Sequence, residues 1–407
     1  MSIGPRANQG RLRVGLAVVG LALLVAAQTV ALHAAFTSRV PGAADFYARW
    51  QPTRAWLLTG QNPYSAEATR ANQLGTFGRL ALPHEDQLQF AYPLLAAFLV
   101  LPAALIPDYA WASAFWLALL QLSLAALVVV SATWSHWRPR PWLLGATLVF
   151  GLLWYHAART LLLGQVAGIL AALLAGALVA IQRRQDRVAG VLLALTAAKP
   201  QIAVLIIPAV WIWAASARRW TLLGWSAGAL ALLLGVSFVL LPSWLGDWLG
   251  QIPIYAGTTV SAPPVEIAAR ALWPSQAVPV QVVLSGVFVA VLLMVWRRAM
   301  GRTGEAFDHA AGLTLVTTCL VAPRIATTDY VIMTPVLFTL FGSLALRVGR
   351  WGSGPVLALQ AALLAGLWGL FLGTVQGNQE QAVMYLPLPI GLWIYLMIGE
   401  SAHDKTH

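Results

Sequence analysis

Charge is what this sequence has least of: Asp, Glu, Lys and Arg together make 10% of its 407 residues, against about 25% in a water-soluble globular domain. A surface so sparse in charge cannot face water all round, which excludes an ordinary soluble enzyme or binding module. Cysteine is nearly absent too. The single Cys319 rules out an internal disulfide and any cysteine-rich metal site, and is expected to be a packing residue. Lysine occurs only as Lys199 and Lys405, so arginine carries almost all the positive charge. No low-complexity linker, internal repeat or separate soluble domain is visible, and 1–407 reads as a single integral membrane domain.

Apolar residues fill 59% of the chain, with a mean hydropathy of +0.74. Runs over 14–35, 222–241 and 279–296 approach or exceed the roughly 20 residues that cross a hydrocarbon core as a helix. The first run is too long for a removable signal peptide and lacks a small-residue cleavage site after it, so it is expected to stay as the first span. Sixteen of the 25 basic residues fall in short clusters: Arg6, Arg11 and Arg13; Arg138 and Arg140; Arg183, Arg184 and Arg187; Arg218 and Arg219; Arg297, Arg298 and Arg302; Arg347 and Arg350; Lys405. In a soluble protein the net charge of +11 would suggest nucleic acid. Here the positive-inside rule makes the clusters cytoplasmic, the N-terminus with them, and no nucleic-acid partner is expected. The long connections 36–90 and 242–278 and the short link 374–381 then lie on the extracytoplasmic side.

Two stretches do not read as plain spans. Residues 188–215 are too short for two crossings and are divided by Lys199-Pro200. Two short helices meeting there are predicted, because irregular backbone is tolerated at membrane depth where it lines a cavity. Residues 310–346 repeat the pattern around Ala322-Pro323-Arg324. Over 91–131 hydropathy suggests two crossings, while the charge rule asks for an odd number. The prediction is an all-α polytopic bundle of about 10 to 13 transmembrane helices with a large first extracytoplasmic loop.

An ionisable residue at membrane depth is expensive, which makes each one outside the clusters a candidate for function. Lys199, between two apolar half-helices and before a proline, is expected to face a polar cavity with an anionic phosphate as its partner; the alternative is a side chain snorkelling to the interface. Arg324 at the second break and Arg159 before Gly164-Gln165 would complete a basic rim for a phosphodiester, although singly each is more often a lipid-headgroup anchor. Asp45, in Gly42-Ala43-Ala44-Asp45-Phe46-Tyr47, could act as a general base with Arg49 one helical turn later; the alternative is a cap or a surface ion pair with that arginine. His84-Glu85-Asp86 reads as a solvated loop. No metal-ligand constellation is visible, so neither metal nor cofactor is expected, with a divalent ion on Asp45 and Asp329 as the alternative.

The ordered set of signals resembles glycosyltransferase family 87, the polyprenol-phosphate-mannose-dependent mannosyltransferases of GT-C architecture. Asp45, Gly60-Gln61-Asn62-Pro63-Tyr64 with Phe90-Ala91-Tyr92-Pro93-Leu94, Gly164-Gln165, and Ala189-Gly190 with Ala198-Lys199-Pro200-Gln201 carry the likeness. The resemblance implies inverting transfer of a hexose, mannose in the family, from a polyprenyl-phosphate-linked donor to a lipid or glycan acceptor. It makes Asp45 the base, Lys199, Arg324 and Arg159 the donor-phosphate ligands, and Gln165, Asn62, Tyr64, Tyr92 and Asp329 contacts to sugar or acceptor. The site would face the extracytoplasmic side of the plasma membrane, among membrane lipids. The chain departs from the family where Asp329-Tyr330 stands in place of its frequent His-Tyr, and where Leu94 replaces a second proline.

The rival is a transporter or flippase, since broken helices with buried charge also mark substrate pathways. Placement separates the two: a transporter would gather its polar residues near the midplane rather than at the rim. A non-catalytic scaffold, which would need neither Asp45 nor Lys199, ranks behind both.

Overall fold

The computed structural model of the chain describes residues 5–83, 85–258, 261–349, 352–377 and 379–403. His84, Arg350 and Lys405 of the sequence reading lie outside them. Among the described residues the protein is helical throughout, with one isolated bridge between Gln376 and Gln379. Seven helices are long and apolar enough to cross a membrane, or eight when Pro141–Leu153 and Tyr155–Leu163, bent by 53° to each other, count as one span. Leu95–Ala104, Ala167–Gln182 and Pro200–Ser216 are apolar but shorter. The chain is therefore a multi-pass membrane protein, with seven or eight full-length spans among the described residues where the sequence led to an expectation of about 10 to 13 transmembrane helices.

Burial separates inside from outside. Tyr109–Trp134, Ala167–Gln182, Glu305–Val321 and Thr327–Met333 each bury half or more of their residues, while Gly15–Thr37 and Pro274–Ala299 turn nearly all their apolar side chains outward. A helix that is apolar all round and little buried faces lipid. Inside, small residues allow close approach. At Gly190 on Asp186–Leu195, a Cβ would meet the backbone nitrogen of Ser226 at 2.7 Å and the carbonyl of Leu222 at 2.9 Å. Gly190→Leu is therefore expected to force this helix off Trp220–Leu240 and cost about 1–3 kcal/mol by overpacking, read as a lowered thermal unfolding transition in detergent.

Both predicted breaks are present. Asp186–Leu195 gives way to a short turn over Thr196–Ala198, Lys199 is extended (φ −129°, ψ 92°), and Pro200–Ala203 restarts the helix. Glu305–Val321 ends before Pro323, Arg324 is left-handed (φ 57°), and a 3₁₀ segment, Thr327–Met333, leads into Thr334–Val348. Over 91–131 the chain forms the ten-residue Leu95–Ala104 and then one full span, Tyr109–Trp134. Two of the carbonyls that end the short helix are taken by side chains, Ala103 by Trp50 Nε1 (3.1 Å) and Ala104 by Arg54 Nη1 (2.9 Å), which satisfies acceptors that a helix end otherwise leaves open.

The first long connection folds into Ala44–Thr59 and Ala66–Phe77, and the second supplies Trp244–Thr258. The two connections are bonded together. Asn62 Nδ2 donates to Asp247 Oδ2 (2.7 Å), Gln251 Nε2 to the Tyr64 carbonyl (3.1 Å), and Trp248 Nε1 to the Ala91 carbonyl (3.2 Å). Following each span away from its arginine cluster leads to these connections and to the two breaks.

Candidate active site

Asp45 owes its position to a tight entry into its helix. Gly42 and Ala43 both have positive φ (60° and 52°), and the hydroxyl of Tyr109 donates to the carbonyls of both (2.8 and 2.9 Å). Asp45 thus falls in the first turn of Ala44–Thr59, where free backbone N–H groups favour a carboxylate. Phe46 next to it stacks on Trp116, with ring centroids 4.8 Å apart, and the Trp116 indole donates to the Gly164 carbonyl (2.8 Å).

Gly164 then fixes what faces Asp45. Its φ is +69°, and a Cβ would stand 2.7 Å from those of Ala43 and Phe46, so glycine alone lets the end of Tyr155–Leu163 touch the start of the Asp45 helix. The next residue, Gln165, donates from Nε2 to Asp45 Oδ2 and accepts at Oε1 from the Tyr92 hydroxyl (3.2 Å). Gly164→Ala should separate Gln165 from Asp45. Since a shift of about 1 Å can cost on the order of 10²-fold in rate, we expect an activity loss of that size with the protein still inserted and folded, checked by turnover alongside detergent-extracted yield.

Tyr92 joins this pair to the positive charge. The Arg49 guanidinium lies over its ring at 4.2 Å and the Lys199 ammonium at 5.6 Å. Arg49 Nη1 donates to the backbone carbonyl of Asp45, not to its carboxylate. Lys199 pairs with Asp329 across 130 residues of sequence, with side chains 4% and 0% exposed. Asp329 Oδ2 also accepts from the backbone nitrogen of Ala326 (3.0 Å), which closes the second break against the first.

A cavity of about 230 Å³ opens beside this network, of the order of one monosaccharide unit. Asp45, Arg49, Asp86, Arg159, Gln165 and Glu380 bring the polar side chains to its wall. Of the residues expected from sequence, Asp45, Gln165 and Arg159 line it directly. Tyr92, Lys199 and Asp329 stand behind the wall, and Arg324 lies just outside, donating to the carbonyl of the lining residue Ser261 (3.2 Å). Asn62 and Tyr64 spend their polar atoms on the protein. Besides its bond to Asp247, Asn62 accepts at Oδ1 from Tyr64 N (2.9 Å), and the Tyr64 hydroxyl donates to the Tyr92 carbonyl (2.8 Å).

Sequence reasoning missed two carboxylates. Glu380 accepts from the Tyr155 hydroxyl (2.7 Å), Arg159 Nε (2.9 Å) and the Thr327 hydroxyl (2.5 Å). The one available signal was its place in the short link 374–381. Asp86, read as part of a solvated loop, lines the cavity instead. Burial pushes its pKa up, as does the charge of Asp45, against the lowering effects of its bond from Leu88 N (2.9 Å) and of Arg49. Its neighbour Glu85 does pair at the surface, with Arg79 (2.7 Å).

A half-buried carboxylate held by an amide, with cations grouped around one aromatic ring beside it, can deprotonate a hydroxyl and stabilise a departing anion in one place. Comparison with known proteins agrees with such chemistry. A model of glycosyltransferase family 87 matches residues 90–323, more than half of the chain. No curated protein and no solved structure matches it.

Proposed function

The chain belongs to glycosyltransferase family 87, and from that premise we propose that it moves a hexose, mannose by preference, from a polyprenyl phosphate to a lipid or glycan acceptor. The observation that carries the reading is the contact of Asp45 with Gln165 in a wall that also holds Arg49 and Arg159. In the reaction, Asp45 takes the proton of the acceptor hydroxyl. The freed oxygen attacks the anomeric carbon from the face opposite the phosphate, and the C1–O bond breaks with its electron pair going to the polyprenyl phosphate. One bond forms as one breaks, and the anomeric centre inverts.

Negative charge develops on the leaving phosphate, where fixed cations lower the barrier most. Arg159, Lys199 and Arg324 form the basic lip that receives it. Gln165 faces the sugar hydroxyls, with Tyr92 behind it and Asp329 behind the wall on Lys199, while Asn62 and Tyr64 shape the loop beside the acceptor. All of these lie toward the ends of the spans away from the arginine clusters. With the arginine clusters taken as cytoplasmic by the positive-inside rule, this supports a site on the extracytoplasmic side of the plasma membrane and an N-terminus in the cytoplasm. The placement favours an enzyme over a transporter, whose sites sit near the midplane.

The test is transfer by purified protein in liposomes, using polyprenyl phosphomannose labelled in the sugar. We expect label in a new glycolipid or glycan, and none when a nucleotide sugar replaces the lipid-linked one. Label that crosses the bilayer without entering a new product would replace this reading with transport.

A further inference from the structure

The charges around the cavity are not evenly compensated. Arg159 is paired with Glu380 at 2.9 Å and Lys199 with Asp329, so each brings directed N–H groups whose charge is already offset. Arg49 differs. It is 8% exposed, yet none of the ion pairs among the described residues includes it. One nitrogen bonds a backbone carbonyl, its plane rests on Tyr92 at 4.2 Å, and its Nε, fully buried, has no hydrogen-bond partner. The two carboxylates nearest along the wall are engaged elsewhere, Asp45 Oδ2 with Gln165 and Asp86 Oδ1 with Leu88 N.

A buried guanidinium that no carboxylate touches is costly even with the charges of Asp45 and Asp86 acting on it through space, and an unmade N–H bond adds to the cost. Aromatic stacking recovers only part of it. Such a group is stable when a ligand brings the missing charge, and Nε belongs to the edge with which arginine grips two oxygens of a phosphate. Arg49 also lies one helical turn from Asp45, so both side chains project from the same face of Ala44–Thr59. A rigid helix would therefore set the distance between the base and the phosphate.

On the donor reading above, we propose that Arg49 is the principal ligand of the donor phosphate and takes the charge that the polyprenyl phosphate gains as its C1–O bond breaks. Arg159 and Lys199 orient the same phosphate with charges that Glu380 and Asp329 have already balanced. The specificity that follows is for a phosphate ester as leaving group, because an uncharged lipid-linked sugar would leave the Arg49 Nε without a charged acceptor.

Binding of the product polyprenyl phosphate, which carries no sugar and undergoes no reaction, tests this without an activity assay. With purified protein in neutral-lipid nanodiscs, Arg49→Gln should weaken binding by about 10- to 100-fold, the range of a charge-assisted bond. Arg49→Lys, which keeps charge but not the fork, should fall between Arg49→Gln and wild type. Thermal unfolding of each variant shows whether it is folded; if Arg49→Gln is not, Arg49→Lys carries the comparison. Folded Arg49 variants that bind as tightly as wild type overturn the assignment while leaving the donor reading in place. Absence of binding by the wild type overturns the donor reading itself. An equal loss of affinity for phosphatidylglycerol would make Arg49 a general anionic-headgroup contact and overturn its donor role.

Discussion

Asp45→Asn removes sugar transfer and leaves the fold intact. The expected loss is about 10²- to 10⁴-fold, the range that a positioned general base contributes, read as initial rates in proteoliposomes at saturating donor. Asparagine suits the test because it keeps the shape and can still accept the Gln165 amide at its carbonyl oxygen. The bond that orients residue 45 is retained, and only the proton acceptor is lost. Donor affinity should be unchanged, so the deficit belongs in kcat. Asp86 lines the same cavity and is the control. Asp86→Asn should retain transfer within about tenfold, as a contact not made in the transition state would. A reversed pattern, with Asp86→Asn inactive and Asp45→Asn active, would move the base to the loop and make Asp45 the residue that raises its proton affinity.

Much of this architecture could be read from the sequence because it follows from local chemistry. Scarce charge and long apolar runs give a membrane bundle, and proline beside a polar residue gives both broken helices. The helix count was less legible. Hydropathy scores Leu95–Ala104 as part of a span, but its last carbonyls are taken by Trp50 and Arg54, from a helix 50 residues earlier. The site was legible as a set of residues and not as a set of contacts. Asp45 meets Gln165 across 120 positions and Lys199 meets Asp329 across 130, and no periodicity carries information over such distances. Glu380 was invisible for the same reason, since a lone acid in a short link looks solvated until Tyr155 and Arg159 are found against it. Asn62 and Tyr64 were expected as contacts to sugar or acceptor, and the contacts found for them hold the loop to Trp244–Thr258.

The second large effect concerns the ion pair between the breaks. Lys199→Met or Asp329→Leu alone should destabilise the protein by about 3–5 kcal/mol, because either change strands its partner's charge in the interior. The double variant should recover most of that loss, since a buried pair replaced by apolar groups of similar size is often neutral or better. Thermal unfolding in detergent measures both steps as a double-mutant cycle. Transfer separates the roles. If the pair only fastens one broken helix to the other, the double variant regains activity along with stability. If the Lys199 ammonium, 5.6 Å from the Tyr92 ring, also meets the leaving phosphate, the double variant is stable and inactive, and this is the outcome we expect. A break in a membrane helix exposes backbone that must be bonded inside the protein. Placing a lysine and an aspartate at two such breaks and joining them stabilises both, and leaves an ammonium with N–H groups beyond those its aspartate can accept.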